Sequence, residues 1–370
     1  MKILMLEPYY GGSHKAFIDG LSEASRHEWT VLTLPPYKWK WRMRHAAVTF
    51  AEQVTELVNS GQNWDLLFCS DMLNLAEFLG LAPRAVANLP SVAYFHENQL
   101  TYPARFESER DYQFVMTNMT SALAASAVWF NSAFHADSFL DALAKFLKRM
   151  PDFQSIHAVE KIKAKFAVHP PGIAEPPAIG ETKLPPTILW AARWEHDKNP
   201  EDFFEAMKIV KAAGMDFRLS VIGEGFRDQP KVFDWAKDYF AENIDRWGYQ
   251  QTASEYYKSL AEADIFVSTA NHEFFGIGAV ETVAAGAFPL LPIRLAYPEV
   301  FELDTEPAAG QFFYDGSVKA LAQKLARLIE LAQQGQLWTD ETKTAVKCVE
   351  RFKWKNLAPV IDKSLDQITR

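Results

Sequence analysis

Twice in this chain a short apolar run stops at a polar loop and gives way to a helix-like pattern. Lys2–Leu6 reads as a buried strand, Pro8–His14 as a glycine-bearing loop and Lys15–Ser25 as an amphipathic helix. The second start has the strand Pro186–Ala192, a charged loop from Arg193 and a helix from Glu201 to about Ala213. Further strand-like runs lie at Trp29–Leu34, Asp65–Cys69, Ser91–Phe95 and Ala127–Phe130, then at Arg218–Ile222, Asp264–Thr269 and Phe288–Leu291. Their alternation with helices predicts parallel sheets joined by right-handed crossovers. A proline-dense run over 168–186 separates the halves and reads as a linker. At 370 residues the chain is long enough for two α/β domains, each with its own core.

Open α/β sheets bind ligands outside the carboxyl ends of their strands. Arg193 leaves the end of one strand, and Lys198 sits in the loop before the next helix. Asn271–Glu281 follows another strand, with Glu273 in the loop, Phe274-Phe275-Gly276-Ile277 as a turn, and Glu281 in the helix that runs on to Ala285. A loop-to-helix junction leaves backbone N–H groups pointing outward, ready for a diphosphate. Two carboxylates on either side of it would accept hydroxyls, and a nucleotide sugar has that layout. A cation near 4 Å from a phosphate contributes about 4 kcal/mol at an effective dielectric of 20. Set against this are plain surface salt bridges from Arg193 and Lys198 to Glu195 or Asp197, and two glutamates on a solvated face. Gly11-Gly12, in the first loop, and Gly223, after the strand ending at Ile222, allow close backbone approach to a phosphate or sugar, or form simple tight turns. His96 stands at the end of Ser91–Phe95, followed by Glu97, Asn98 and Gln99, which is more polarity than a turn needs. Tyr249 ends an apparent strand at Gly248-Tyr249-Gln250-Gln251, as a base-stacking face or as ordinary core.

Composition narrows the setting. The net charge of −9 argues against a protein that coats nucleic acid all over, though not against one basic patch. Two cysteines far apart, Cys69 and Cys348, do not make a disulfide framework, so a reduced, cytoplasmic setting is expected. Met1–Leu6 reaches Glu7 before a signal peptide's apolar run could form, and no segment approaches the roughly 18 apolar residues of a membrane span.

An Arg with a Lys five residues on, plus Glu-x7-Glu at Glu273 and Glu281, resembles the retaining GT-B glycosyltransferases. Glu7–Lys15, Tyr94–Pro103, Arg193–Glu201 and Leu295–Phe301 resemble a narrower group, the tRNA-queuosine mannosyltransferases, over nearly the whole chain. The resemblance implies two Rossmann-like domains facing a cleft: an acceptor domain of 1–170 joined by a returning C-terminal helix (356–370), and a nucleotide-sugar domain of 171–355. It implies mannose transfer from GDP-mannose to queuosine in a tRNA-Asp-type anticodon, with retention. His96, Arg193, Lys198 and Glu273 would be catalytic. Gly11, Gly12, Gly223, Tyr249, Phe274, Phe275, Gly276, Ile277 and Glu281 would meet the donor. His14, Glu97, Asn98 and Gln99 would meet the acceptor. No Asp-x-Asp occurs, so no metal and no cofactor beyond the GDP-mannose co-substrate is expected. Neither stable membrane association nor an obligate protein partner is expected. Two other functions fit the same residues: a GT-B enzyme using another nucleotide sugar on a small molecule or lipid, and a nucleotide-sugar-binding protein without turnover.

The segment Pro35–His45 alternates basic and aromatic or apolar residues. If extended, Lys38, Lys40, Arg42 and Arg44 share one face at roughly 6.6 Å intervals, with Trp39, Trp41 and Met43 on the other. Cations paired with aromatic planes bind single-stranded RNA. Tryptophans buried under a basic rim, or an interfacial membrane patch, would read the same way. The resemblance favours RNA, with Lys38, Lys40, Trp41, Arg42 and Arg44 on the tRNA.

Overall fold

The structure is a computed structural model that describes residues 1–103, 111–176, 184–226, 228–338 and 343–369. The chain divides into two compact units, Met1–Gly172 with Trp354–Arg370, and Ile173–Lys353. Part of the linker read from the sequence, 177–183, lies outside the described residues.

In the first unit β1 (Lys2–Glu7), β2 (Glu28–Thr33), β3 (Leu66–Ser70), β4 (Ser91–Phe95), β5 (Ala127–Phe130) and β6 (Phe166–Val168) form one sheet. Their order is β2-β1-β3-β4-β5-β6, and every pairing is parallel. Helices cover both faces, which is why β3 and β4 are buried at every residue and read as unbroken apolar runs. Phe50, Phe78, Phe95, Phe130 and Phe139 pack one face; Phe17, Phe68, Tyr94, Trp129, Leu357 and Ile361 pack the other.

The second unit holds β7 (Thr187–Ala191), β8 (Arg218–Ile222), β9 (Ile244–Gly248), β10 (Ile265–Val267), β11 (Phe288–Pro292) and β12 (Phe313–Tyr314). Their order, β12-β11-β10-β7-β8-β9, is the doubly wound arrangement of a dinucleotide-binding fold. Strand order reverses at β7, between β8 and β10, and in the first unit at β1, between β2 and β3. Among the described residues no helix is long and apolar enough to cross a membrane.

Three details differ from the sequence reading. The edge strands β6 and β12 were not legible, because three and two residues are too short for a periodic signal. The first helix starts at Gly12, not Lys15, which puts His14 in its first turn. The segment expected to be extended is the start of a long helix, Trp39–Asn59. Its buried positions, Met43, Ala46, Ala47, Phe50, Ala51 and Val54, recur with helical spacing, and that periodicity overrides the alternation of its first residues.

The C-terminal helix, Trp354–Ile368, packs in the first unit, where Leu357, Ile361 and Leu365 join the core beside Phe17 and Leu21. Its Trp354 indole lies over two glycines. A Cβ at Gly20 would fall 2.0 Å from Nε1, and one at Gly172 would fall 2.3 Å from the ring. Gly20→Ala is therefore expected to destabilise the protein by about 1–3 kcal/mol, the usual cost of overpacking. Urea unfolding should show the loss in wild-type background and its partial recovery when Trp354→Leu is added.

Candidate active site

In the second unit the site forms where strand order reverses. Lys198 sits in a short 3-10 turn after β7, ended by Asn199 at φ +51 and by Pro200, which opens the next helix. Hydrogen bonds tie this turn to the loop after β10: Asn271 N–H donates to Asp197 O at 2.8 Å, and Thr269 Oγ1 to Lys198 O at 2.9 Å. The Lys198 ammonium, 7% exposed, donates to His272 O at 2.8 Å and Glu273 Oε2 at 3.2 Å, and meets Asp197 Oδ2 at 3.2 Å. Burial works against its charge, but Glu273 and Asp197 outweigh burial and the repulsion of Arg193, so its pKa lies above the ordinary lysine value. The lysine stays charged.

Lys198 and Glu273 line a cavity of about 30 Å³ together with Ser268, Gly276, Gly278 and Tyr297. Gly276 caps the helix Ile277–Ala284 at φ +90, where a Cβ would lie 2.6 Å from the Tyr297 ring. The first bond of that helix runs from Ala279 N–H, so the N–H groups of Ile277 and Gly278 precede the ladder. Arg294 holds the loop from below, donating to Thr269 O and Ala270 O at 2.9 Å each.

Other donor-side residues have different placements. Exposed Arg193 pairs with Glu195 at 3.2 Å and stands outside that lining. Phe274 and Phe275 are buried, Phe275 edge-on to Phe352, so their rings build the loop and leave only backbone for a ligand. Glu281 accepts from Tyr256 Oη at 2.7 Å; burial raises its carboxyl to about 7 despite that bond. Gly223 at φ +153 follows β8, where a Cβ would sit 1.8 Å from Ala192 O. Its N–H donates to Gly248 O at 3.2 Å, next to Tyr249, which is 59% exposed.

In the first unit Glu7, the last residue of β1, and Asp71 and His96, in the loops after β3 and β4, lie at the carboxyl edge of the sheet. Gly11, half-buried against Pro36, is the residue before the first helix, and exposed Gly12 is its first. Buried Glu7 accepts from Tyr9 N–H at 2.7 Å and pairs with His14 Nδ1 at 3.2 Å. Burial disfavours the His14 charge, yet Glu7, Asp71 and Glu97 outweigh it and raise the imidazole to about 9. Its ring lies 4.0 Å from that of His96, which burial and then His14 hold neutral. His96 N–H donates to Asp71 Oδ1, and His96 O accepts from Asn131 Nδ2, each at 2.9 Å. Glu7, His14 and His96 offer metal-ligating atoms within 4.8 Å of one another. Glu7 and His14 are bonded to one another, which accounts for their closeness.

The polar triplet after His96 is largely spent on its own turn. Asn98, fully buried, accepts from Leu100 N–H and Thr101 N–H at 3.1 and 2.8 Å, and Gln99 Nε2 donates to Glu97 Oε1 at 3.0 Å. Half-buried Glu97 is the member best placed to meet a ligand. Arg42 is likewise corrected. It is 6% exposed, donates to Pro35 O at 3.0 Å and covers the Tyr37 ring, because the helix turns it inward. Lys38, Lys40, Trp41 and Arg44 remain exposed, with Trp41 stacked 4.9 Å from His45.

Residues 2–173 match the family described as tRNA-queuosine alpha-mannosyltransferase N-terminal, and residues 174–345 match glycosyl transferases group 1. A tRNA-queuosine alpha-mannosyltransferase of Drosophila melanogaster is 36% identical over 81% of each chain. The chain belongs to the tRNA-queuosine alpha-mannosyltransferase family. A GDP-mannose:cellobiosyl-diphosphopolyprenol alpha-mannosyltransferase of Xanthomonas campestris is 25% identical over 46% of this chain and 44% of its own. Among solved structures, sucrose-phosphate synthase of Thermosynechococcus elongatus superposes with a TM-score of 0.72 at 14% identity, covering 100% of this chain and 99% of its own. The architecture is that of the GT-B glycosyltransferases.

Sequence reasoning missed Asp71, Asn131, Tyr256 and Arg294, used Glu7 only as part of a motif, and named Asp197 only as a salt-bridge partner, which it is for Lys198. Asp71 had a signal: it directly follows a strand whose carboxyl end was not searched as the others were. Two outcomes follow from the geometry. Lys198→Met should lower turnover about 10²- to 10³-fold, the scale of losing one charge-stabilising donor, with the protein still folded by circular dichroism. Burial raises Glu281 to about 7, so if it holds the nucleotide hydroxyls, as the sequence reading expects, it should accept them better above that pH than below it. Donor affinity by calorimetry should therefore rise between pH 6 and 8, and Glu281→Gln should flatten that rise.

Proposed function

We propose that the protein transfers mannose from GDP-mannose to the cyclopentenediol of queuosine in a tRNA anticodon, with retention at the anomeric carbon and without a metal ion. The acceptor follows from the family and from the name of the Drosophila relative. The donor sugar is carried by the same name, and the guanosine diphosphate by that of the Xanthomonas relative. The observation that carries the chemistry is the pairing of buried Lys198 with half-buried Glu273 at the second sheet's reversal point, beside the helix start at Gly276.

In this reading the bond between the anomeric carbon and the diphosphate breaks, and the acceptor hydroxyl forms its bond on the same face. Its proton passes to the departing diphosphate, so no side-chain nucleophile is required, unlike the paired carboxylates of retaining hydrolases. Lys198, Arg193 and the N–H groups of Ile277 and Gly278 offset the departing negative charge. Glu273 exchanges part of its contact with Lys198 for sugar hydroxyls, and Glu281 takes the ribose. His96 and His14 line the acceptor's side. Lys38, Lys40, Trp41 and Arg44 meet the RNA, and the enzyme works in the cytoplasm with its tRNA.

Purified protein incubated with labelled nucleotide sugars and queuosine-bearing tRNA should incorporate mannose from GDP-mannose alone, with undiminished rate in EDTA. Transfer from a UDP-sugar to a small molecule or lipid, or donor binding with no turnover, would replace this reading. Lys40→Ala with Arg44→Ala should reduce the slope of log affinity against log salt by about 2, whereas Arg42→Ala should chiefly lower stability.

A further inference from the structure

The stacked His14–His96 pair is surrounded by three carboxyls, Glu7, Asp71 and Glu97, whose charges act on His14. The transfer chemistry proposed above gives none of the three a proton or a bond to handle. Glu7 is occupied on both oxygens by Tyr9 N–H and His14. Asp71 differs. Its Oδ1 takes the His96 N–H, but Oδ2 meets no hydrogen-bond donor among the described residues, although the side chain is wholly buried. A buried acceptor in that state is destabilising until a donor or cation reaches it. Burial, together with Glu97 and Glu7, holds the Asp71 carboxyl well above the ordinary range, against the pull of His14 and the His96 N–H. Glu97 commits Oε1 to Gln99 and is half-buried at the edge of the cluster. These carboxyls lie at or just beyond the ends of β1, β3 and β4, where an open parallel sheet takes its ligand.

Carboxyls in excess of one imidazolium, one of them with an unpartnered buried oxygen, suit a ligand that brings a positive charge with N–H donors, next to hydroxyls. Queuosine's side chain is such a ligand: a secondary ammonium joins the deazaguanine ring to the cyclopentenediol. We infer that the Glu7–Asp71–Glu97 cluster selects the acceptor by its ammonium, with Glu97 accepting an N–H, Asp71 bonding it through the oxygen that has no partner, and His14 donating to the adjacent diol. This rests on the function proposed above and adds what distinguishes the modified base from its neutral counterparts. Glu7 then acts through His14, as a positioning residue.

The test compares the full-length protein's affinity, at one fixed salt concentration, for tRNAs of one sequence carrying guanine, cyano-deazaguanine, aminomethyl-deazaguanine or queuosine at the wobble position. The aminomethyl base has the cation without the diol, and the cyano base has neither. The aminomethyl tRNA should bind about tenfold more tightly than the cyano and guanine tRNAs, a ratio that corresponds to 1.4 kcal/mol. Glu97→Gln should remove that preference, so that the aminomethyl and cyano tRNAs bind alike. Equal binding of the aminomethyl and cyano tRNAs by the wild-type protein would overturn the inference, whether or not the variant folds. So would a preference that survives Glu97→Gln. Mannose transfer to the queuosine tRNA is measured in parallel: its absence would sink the proposed function, whereas transfer without any preference for the amine sinks this inference alone.

Discussion

The second unit is organised around one buried ammonium. Lys198 is almost fully withdrawn from solvent, and an unpaired charge there would cost several kcal/mol. It is retained because Glu273, Asp197 and the His272 carbonyl converge on it from two loops. Those loops are therefore not free to move apart, and the helix start at Gly276 is held at the same spot. In the function proposed, a diphosphate would meet a cation whose compensation is already built, and would displace only part of the Glu273 contact. The Arg294 guanidinium, bonded to Thr269 O and Ala270 O, and the Asn271 N–H, bonded to Asp197 O, both fasten the loop that presents Glu273.

The first unit solves a different electrostatic problem. Glu7 and His14 neutralise one another, which lets a charged imidazole sit against a neutral one at His96. Asp71 and Asn131 grip the His96 backbone on its two sides. The position of His96 thus depends on residues from β3 and β5 as well as from its own strand. What this arrangement leaves uncompensated is carboxyl oxygen, which is the opposite of the cation-centred site in the second unit. The difference follows the chemistry of the two ligands proposed, an anionic diphosphate for one and a cationic nucleobase side chain for the other.

Most of the fold was legible because strands buried on both faces are written as unbroken apolar runs. Ser91–Phe95, Ala127–Phe130 and Arg218–Ile222 were bounded correctly on that basis. The failures had a common cause: local pattern was read where longer-range periodicity governs. Lys38–Arg44 alternates like a strand, but Met43, Phe50 and Val54 impose a helix that draws Arg42 inward. Asn98 looked like a ligand contact, yet a tight turn after a buried strand must satisfy its own N–H groups, and Asn98 accepts two of them, while Gln99 donates to Glu97.

The order of residues along the chain was sufficient to establish an α/β protein with two strand–loop–helix openings, and to mark which loops leave the carboxyl ends of strands. Periodicity and the chemistry of loop residues are local properties, so they survive without a structure. Which side chains share a site was settled only by strand order. Lys198 and Glu273 are 75 positions apart and meet because β7 and β10 are neighbours in the sheet. Asp71 and His96 are 25 apart and meet because β3 pairs with β4. The state of charge at each site is likewise a product of packing, since burial and partners from distant segments, rather than residue type, decide which groups keep their protons.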